Sequence, residues 1–180
     1  RLLGETKPAL RGTVAFRHAS VLELPFETGS FDVVTSSRCL MALLDWELQQ
    51  KALVEIHRVL KPGGLYVMME GTFDGLDRLN DMRTRFGLEP IAADGKDRLF
   101  TLKFQEDQLL EFVKPIFSLE HTQRFGMYYF LTRVVQPLLV APDRPRYDHK
   151  LNEVAREIAK VVPDFEGLRH LVGFILSKRR

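Results

Sequence analysis

The sequence predicts an α/β domain built on a mostly parallel sheet, and three observations carry this. A β-branched run, FDVVTS (31–36), is followed by a helical apolar pattern over 45–60. A second apolar run, LYVMME (65–70), comes next. Between helix and second run stands Lys61-Pro62-Gly63-Gly64. Two strands joined by one helix and a tight reversal make a βαβ unit, whose strands lie parallel when they share a sheet.

The elements follow in order. TVAF (13–16) reads as a short strand, and 20–30 as a loop with Pro25 and Gly29. The consecutive Val33-Val34 predicts burial of the 31–36 strand on both faces. Asp45 is placed to accept from free N–H groups of the next helix. In that helix Leu48, Ala52, Leu53, Ile56, Val59 and Leu60 form one apolar stripe, with Gln49, Gln50 and Arg58 away from it. Pro62 has no N–H and disfavours helical geometry at Lys61, so the helix ends there. Gly63 and Gly64 can take positive φ and let the chain reverse.

Leu76, Leu79, Met82 and Phe86 predict a helix ending at Gly87, and 88–99 an exposed loop. Residues 105–113 read as a helix stopped by Pro115, and 116–125 as a strand. Asp148 caps an amphipathic helix bearing Leu151, Val154, Ala155, Ile158 and Val162, and 170–178 form a last strand. A helical insertion is expected over about 126–163.

Composition bounds the function. The 180 residues, 45% hydrophobic and 28% charged, suit one packed domain. A net charge of +2 gives no electrostatic case for nucleic acid. No run reaches the 18–20 apolar residues of a membrane span; the most apolar stretch, 127–141, is broken by Arg133, Gln136 and Pro137. Cys39, the single cysteine, is expected as a small buried residue in a reducing, cytoplasmic setting. Lys178-Arg179-Arg180 reads as a solvated tail. No metal site is expected.

ASVLELPFETGSFDVVTS (19–36) followed by EIHRVLKPGGLYVMMEG (55–71) resembles class I S-adenosylmethionine-dependent methyltransferases of the group with an LPF…FD…RVLKPGG signature. The resemblance implies a Rossmann-like sheet with an antiparallel last strand, a helical insertion before it, and cofactor binding at the carboxyl ends of the parallel strands. It places the adenine acceptor at Ser20, where relatives carry Asp, and a backbone donor at Val21. Ser36, Ser37 and Arg38, just past FDVV, fall beside the methionine part of S-adenosylmethionine. Met41 and Ala42 stand where many relatives carry His. RVLKPGG is structural in this setting.

The family's opening glycine-rich loop, which admits close backbone approach to the cofactor, is missing: the twelve glycines contain no G-x-G. The chain is therefore expected to be the C-terminal part of such a domain, binding cofactor poorly or needing a completing segment. The rival is a non-catalytic Rossmann-like interaction module that has lost its cofactor. For proton removal from a small-molecule acceptor the candidates are His121, Tyr128 and Tyr129. For acceptor binding they are Arg124, Tyr128 and Arg133, in an insertion that also carries Arg144 and Arg146. An acceptor with apolar and anionic parts, such as a glycan, lipid-linked, polyketide or quinone-type intermediate, suits that composition. The insertion could equally pack on the sheet or join two copies of the chain.

Overall fold

The computed structural model describes residues 14–92, 100–165 and 167–179. The expectations for residues 1–13 and for the loop part 93–99 lie outside these.

Strands β1 (Phe31–Ser37), β2 (Leu60–Glu70), β3 (Phe117–Gln123) and β4 (Val172–Lys178) form one sheet in the order β1-β2-β4-β3. β1 and β2 are parallel, while β4 runs antiparallel to both its neighbours. This is the Rossmann-like sheet with a reversed last strand that the sequence led us to expect. Residues 14–16 form no strand, and Val14 and Phe16 are exposed. An extended segment without a ladder partner stays in solvent.

α1 (Trp46–Val59) links β1 to β2. The Asp45 carboxylate accepts from the Glu47 and Leu48 N–H groups, as its position predicts. Ala52, Leu53, Ile56 and Val59 pack against the sheet beside Tyr66, Met68, Phe117 and Phe174. Two expectations for this helix are corrected: Leu48 is exposed, and Gln49 is buried. Gln49 Nε2 donates to the carbonyls of Leu40, Leu43 and Leu102, so the amide is buried with its donors satisfied.

The Pro-Gly-Gly step is more than a reversal. β2 begins at Leu60, opposite Phe31, and resumes with Leu65 opposite Val33. Residues 61–64 therefore bulge out of the ladder. Gly63 has φ +77°, and a Cβ on Gly64 would lie 2.9 Å from the Lys61 carbonyl and 3.0 Å from that of Asp32. One glycine supplies a left-handed turn, and the other admits two backbones side by side.

The doubly buried β1 is also corrected. Val33 is 51% exposed and Val34 half-buried, because β1 forms an edge of the described sheet.

α2 (Phe73–Arg85) is capped by Thr72, and α3 (Glu106–Val113) precedes β3. Between β3 and β4 lie α4 (Gly126–Phe130), a π turn (Leu131–Val135), α5 (Gln136–Val140) and α6 (Lys150–Val161). This insertion does not extend the main core. Tyr129, Val134 and Leu168 bury against Leu79 of α2 in a second cluster. His149, not Asp148, caps α6; Asp148 pairs with Arg146 instead. On α6 only Ala155 of the expected stripe is fully buried, together with Asn152, whose amide donates to Arg146 and His149 carbonyls.

Lys178 and Arg179 do not extend freely as a solvated tail. Lys178 Nζ donates to the carbonyls of His57 and Leu60 at 2.7 Å, closing the end of α1, and Arg179 Nε donates to Phe117. Among the described residues, no helix is long and apolar enough to cross a membrane.

Candidate functional site

Parallel pairing brings the carboxyl ends of β1 and β2 together. Ser37 lies opposite Met69, and the Arg38 N–H donates to the Met69 carbonyl at 2.8 Å. Arg38 then takes φ +53°, a left-handed conformation uncommon outside glycine, which turns the chain sharply off the sheet.

A buried carboxylate organises this corner. Glu70, the last residue of β2, accepts from the N–H groups of Cys39 and Leu40 on Oε1 and of Met41 on Oε2, at 3.0–3.1 Å. Those N–H groups open the short turn Leu40–Ala42 and would otherwise be unpaired. Burial pushes the Glu70 carboxyl above its ordinary range, and the three backbone donors offset only part of that. The Ser36 hydroxyl bridges Tyr66 Oη at 2.7 Å and Glu70 Oε1 at 3.4 Å. Sequence reasoning missed Glu70. The signal was an acid ending an apolar strand directly before a glycine, in MMEG.

Beside this corner lies a hollow of about 650 Å³ whose lining includes Val21, Phe26, Val34, Ser36, Cys39 and Ile56. Its apolar wall suits a flat ring, and Ser36 and Thr35 give it a polar end. Val21 and Ser36, two of the expected cofactor contacts, line it, whereas Ser37 and Arg38 are not among its lining residues. The Ser20 hydroxyl accepts from the Leu22 N–H at 3.2 Å and braces a local turn. No carboxylate is among the described residues lining this hollow. Cys39 is exposed, not buried; desolvation and then the Glu70 charge push its thiol up.

The candidates for proton removal separate. His121 is exposed on β3, at the opposite edge of the sheet from β1. Tyr128 is half-buried and lines another hollow with Phe125, Arg156 and Pro163. Tyr129 is buried, and burial raises its phenol to about 12, while the charges of Arg133 and Arg38 pull the other way. It stays protonated near neutral pH, so it can orient a group but not take its proton. No three His, Cys, Asp or Glu side chains among the described residues converge as a metal site.

The acceptor candidates separate too. Arg124 pairs with Asp164 at 3.3 Å. Arg133, on the π turn, lies over the Tyr147 ring at 5.2 Å and lines a third hollow. π turns inside α-helices recur at functional sites because the added residue re-aims the side chains around it.

Comparison with known proteins follows these contours. Residues 3–68 match a family model described as a methyltransferase domain. A demethylmenaquinone methyltransferase of Staphylococcus aureus is 43% identical over 68 residues, which cover 38% of this chain and 27% of that relative. The matched stretch is thus little more than a quarter of the curated relative. A SAM-dependent methyltransferase from Methanosarcina mazei aligns over 99% of this chain and 74% of its own, at 15% identity and a TM-score of 0.55. A geranyl diphosphate methyltransferase, solved with GPP and sinefungin, aligns over 91% of this chain and 52% of its own, at 15% identity and a TM-score of 0.51. At such identities the likeness to these structures is one of fold.

Proposed function

We propose that this chain, whose residues 3–68 are methyltransferase-domain sequence on a methyltransferase-like fold, is part of an S-adenosylmethionine-dependent enzyme that methylates oxygen or nitrogen of a small-molecule acceptor. One observation carries the reading. The family match covers the residues that build the β1-end hollow, from Val21 and Phe26 to Val34 and Ser36.

S-adenosylmethionine, when bound, supplies a methyl group on a sulfonium; the S–C bond breaks as the bond to the acceptor forms, and the acceptor loses a proton. The chain's own part is alignment and exclusion of water. Val21 and Phe26 offer the apolar wall. Ser36, fixed between Tyr66 and Glu70, offers a hydroxyl at the strand end. Tyr129, a buried neutral phenol, does not deprotonate the acceptor.

An acceptor with an apolar body fits. The name of one relative specifies demethylmenaquinone, which combines an apolar portion with a polar end. A homodimer through the insertion belongs to the same reading, supported by the outward Val154, Ile158 and Val161 of α6. So does a cytoplasmic setting, which a single cysteine suits.

Calorimetric titration of the full-length protein that contains this chain with S-adenosylmethionine tests the reading. Saturable heat together with a thermal upshift supports it. Neither signal at millimolar cofactor would sink it in favour of an interaction module.

A further inference from the structure

The third hollow, of about 410 Å³, is lined by Arg83 of α2, Arg133 of the π turn, and Arg144, Arg146 and Tyr147 of the loop before α6, with His170 in its wall. Four guanidinium groups from three separate segments share it, and no carboxylate is among its described lining residues.

Among the described residues, little within the hollow offsets their charge. Arg83 donates through Nε to the Glu89 carbonyl at 2.9 Å and through Nη1 to the Arg133 carbonyl. Arg133 donates to the Tyr147 hydroxyl at 3.3 Å. These partners are neutral. Among the described residues only Arg146 has an acid, Asp148, at 2.6 Å. Exposed Arg144 makes no hydrogen bond or ion pair among the described residues. Loss of solvent, and then the like charge of Arg133, lower the pKa of Arg83. The fold thus holds like charges together and anchors one of them to backbone, which raises the local positive potential.

We infer that this hollow is an anion site for a phosphate or diphosphate group. Planar guanidinium forks match such oxygens in pairs, and several of them favour a multiply charged group over a single carboxylate. The volume admits a diphosphate with part of its attached chain. On the methyl-transfer reading, which this step rests on, the methyl acceptor carries that group. His170 contacts the hollow on one side and the Tyr129 ring, 6.1 Å away between centroids, on the other. Tyr129 in turn feels the charge of Arg38 at the end of β1.

The test titrates inorganic pyrophosphate into the protein without S-adenosylmethionine, with acetate at matched ionic strength as control. Pyrophosphate should bind saturably and acetate should not. Arg133→Gln and Arg144→Gln should each weaken it about tenfold, the loss of one charge-assisted contact. Arg144 is exposed, so its variant keeps the fold even if others do not. Arg85→Gln, at the exposed end of the same helix as Arg83, should bind as the parent does. Absent pyrophosphate heat, equal binding of acetate, unchanged affinity in Arg144→Gln, or equal loss in Arg85→Gln would each overturn the inference. Cofactor titrations of the full-length protein and its variants separate the two claims. Pyrophosphate binding with no S-adenosylmethionine binding removes the enzyme reading alone, and the reverse pattern removes the anion site alone.

Discussion

Arg58 and Glu55, three residues apart on α1, form a two-bond ion pair at 2.7 and 2.8 Å that clamps the loop before β1. Glu55 Oε1 accepts from the Leu24 N–H at 2.7 Å, while Arg58 donates to the carbonyls of Leu24 and Phe26. The LPF loop and the arginine that opens RVLKPGG are thus parts of one contact. Leu24 and Phe26 line the β1-end hollow, so the clamp also fixes its wall.

The clamp should be acid-sensitive. The Arg58 hydrogen bonds hold the Glu55 carboxyl down at about 2, below the ordinary 4.5. A depressed folded pKa stabilises above the unfolded value and loses that contribution as pH falls from about 4.5 toward 2. Glu55→Gln should lower Tm by roughly 2–4 °C at neutral pH, the scale of one such contact in a chain this long. The difference from the parent should shrink with acid. A constant difference in thermal melts across that window would contradict the assignment.

The local grammar of this fold was legible, and the contacts between distant segments were not. Asp45 as a cap and Pro62 as a stop follow from backbone chemistry within a few residues, and both stand in the structure. Gln49 and Glu70 were missed because their burial depends on carbonyls and N–H groups supplied by other parts of the chain. Val33 was misjudged because two valines in a row say nothing about which strands lie beside them. Arg133 was singled out, but its partners Arg83 and Tyr147 come from an α2 end and a loop that no periodicity links.

Glu70 should show the opposite pH behaviour from Glu55. Its folded pKa is raised by burial, so above the ordinary 4.5 the unfolded chain releases this proton first. Stability from this group therefore declines as pH rises from about 4.5 to the raised folded value. Glu70→Gln removes that slope and turns an amide N–H toward backbone donors, so its Tm should be lower and flatter with pH. Carbon-detected NMR of the Glu70 carboxyl checks the direction: a midpoint at or below 4.5 would refute it.

Ser36 should be coupled to Tyr66. The Tyr66 ring is fully buried, its phenol is pushed up by burial, and Ser36 is its hydrogen-bond partner at 2.7 Å. Ser36→Ala leaves that hydroxyl without its partner and should cost ~1–3 kcal/mol. Adding Tyr66→Phe removes the orphan, so the double variant should lose less than the sum of the single losses. Denaturant titrations of the four proteins measure the coupling, and strict additivity would mean the bond contributes nothing.

The two glycines of the bulge should fail differently when given a side chain. Gly63 sits at φ +77° with open space around its missing Cβ. Gly63→Ala therefore carries only left-handed strain, about 1–2 kcal/mol. Gly64 has no positive φ, but a Cβ there meets two carbonyl oxygens at 2.9 and 3.0 Å and Leu60 Cδ2 at 3.2 Å. Neither oxygen can move without shifting the β1–β2 ladder where Phe31 meets Leu60. Gly64→Ala should thus be the more damaging change, and it should loosen the start of β1 as well as lower Tm. Hydrogen exchange at Val33 and Val34 reads the loosening directly. If the two variants melt alike with equal protection there, close approach of the two strands is not what Gly64 provides.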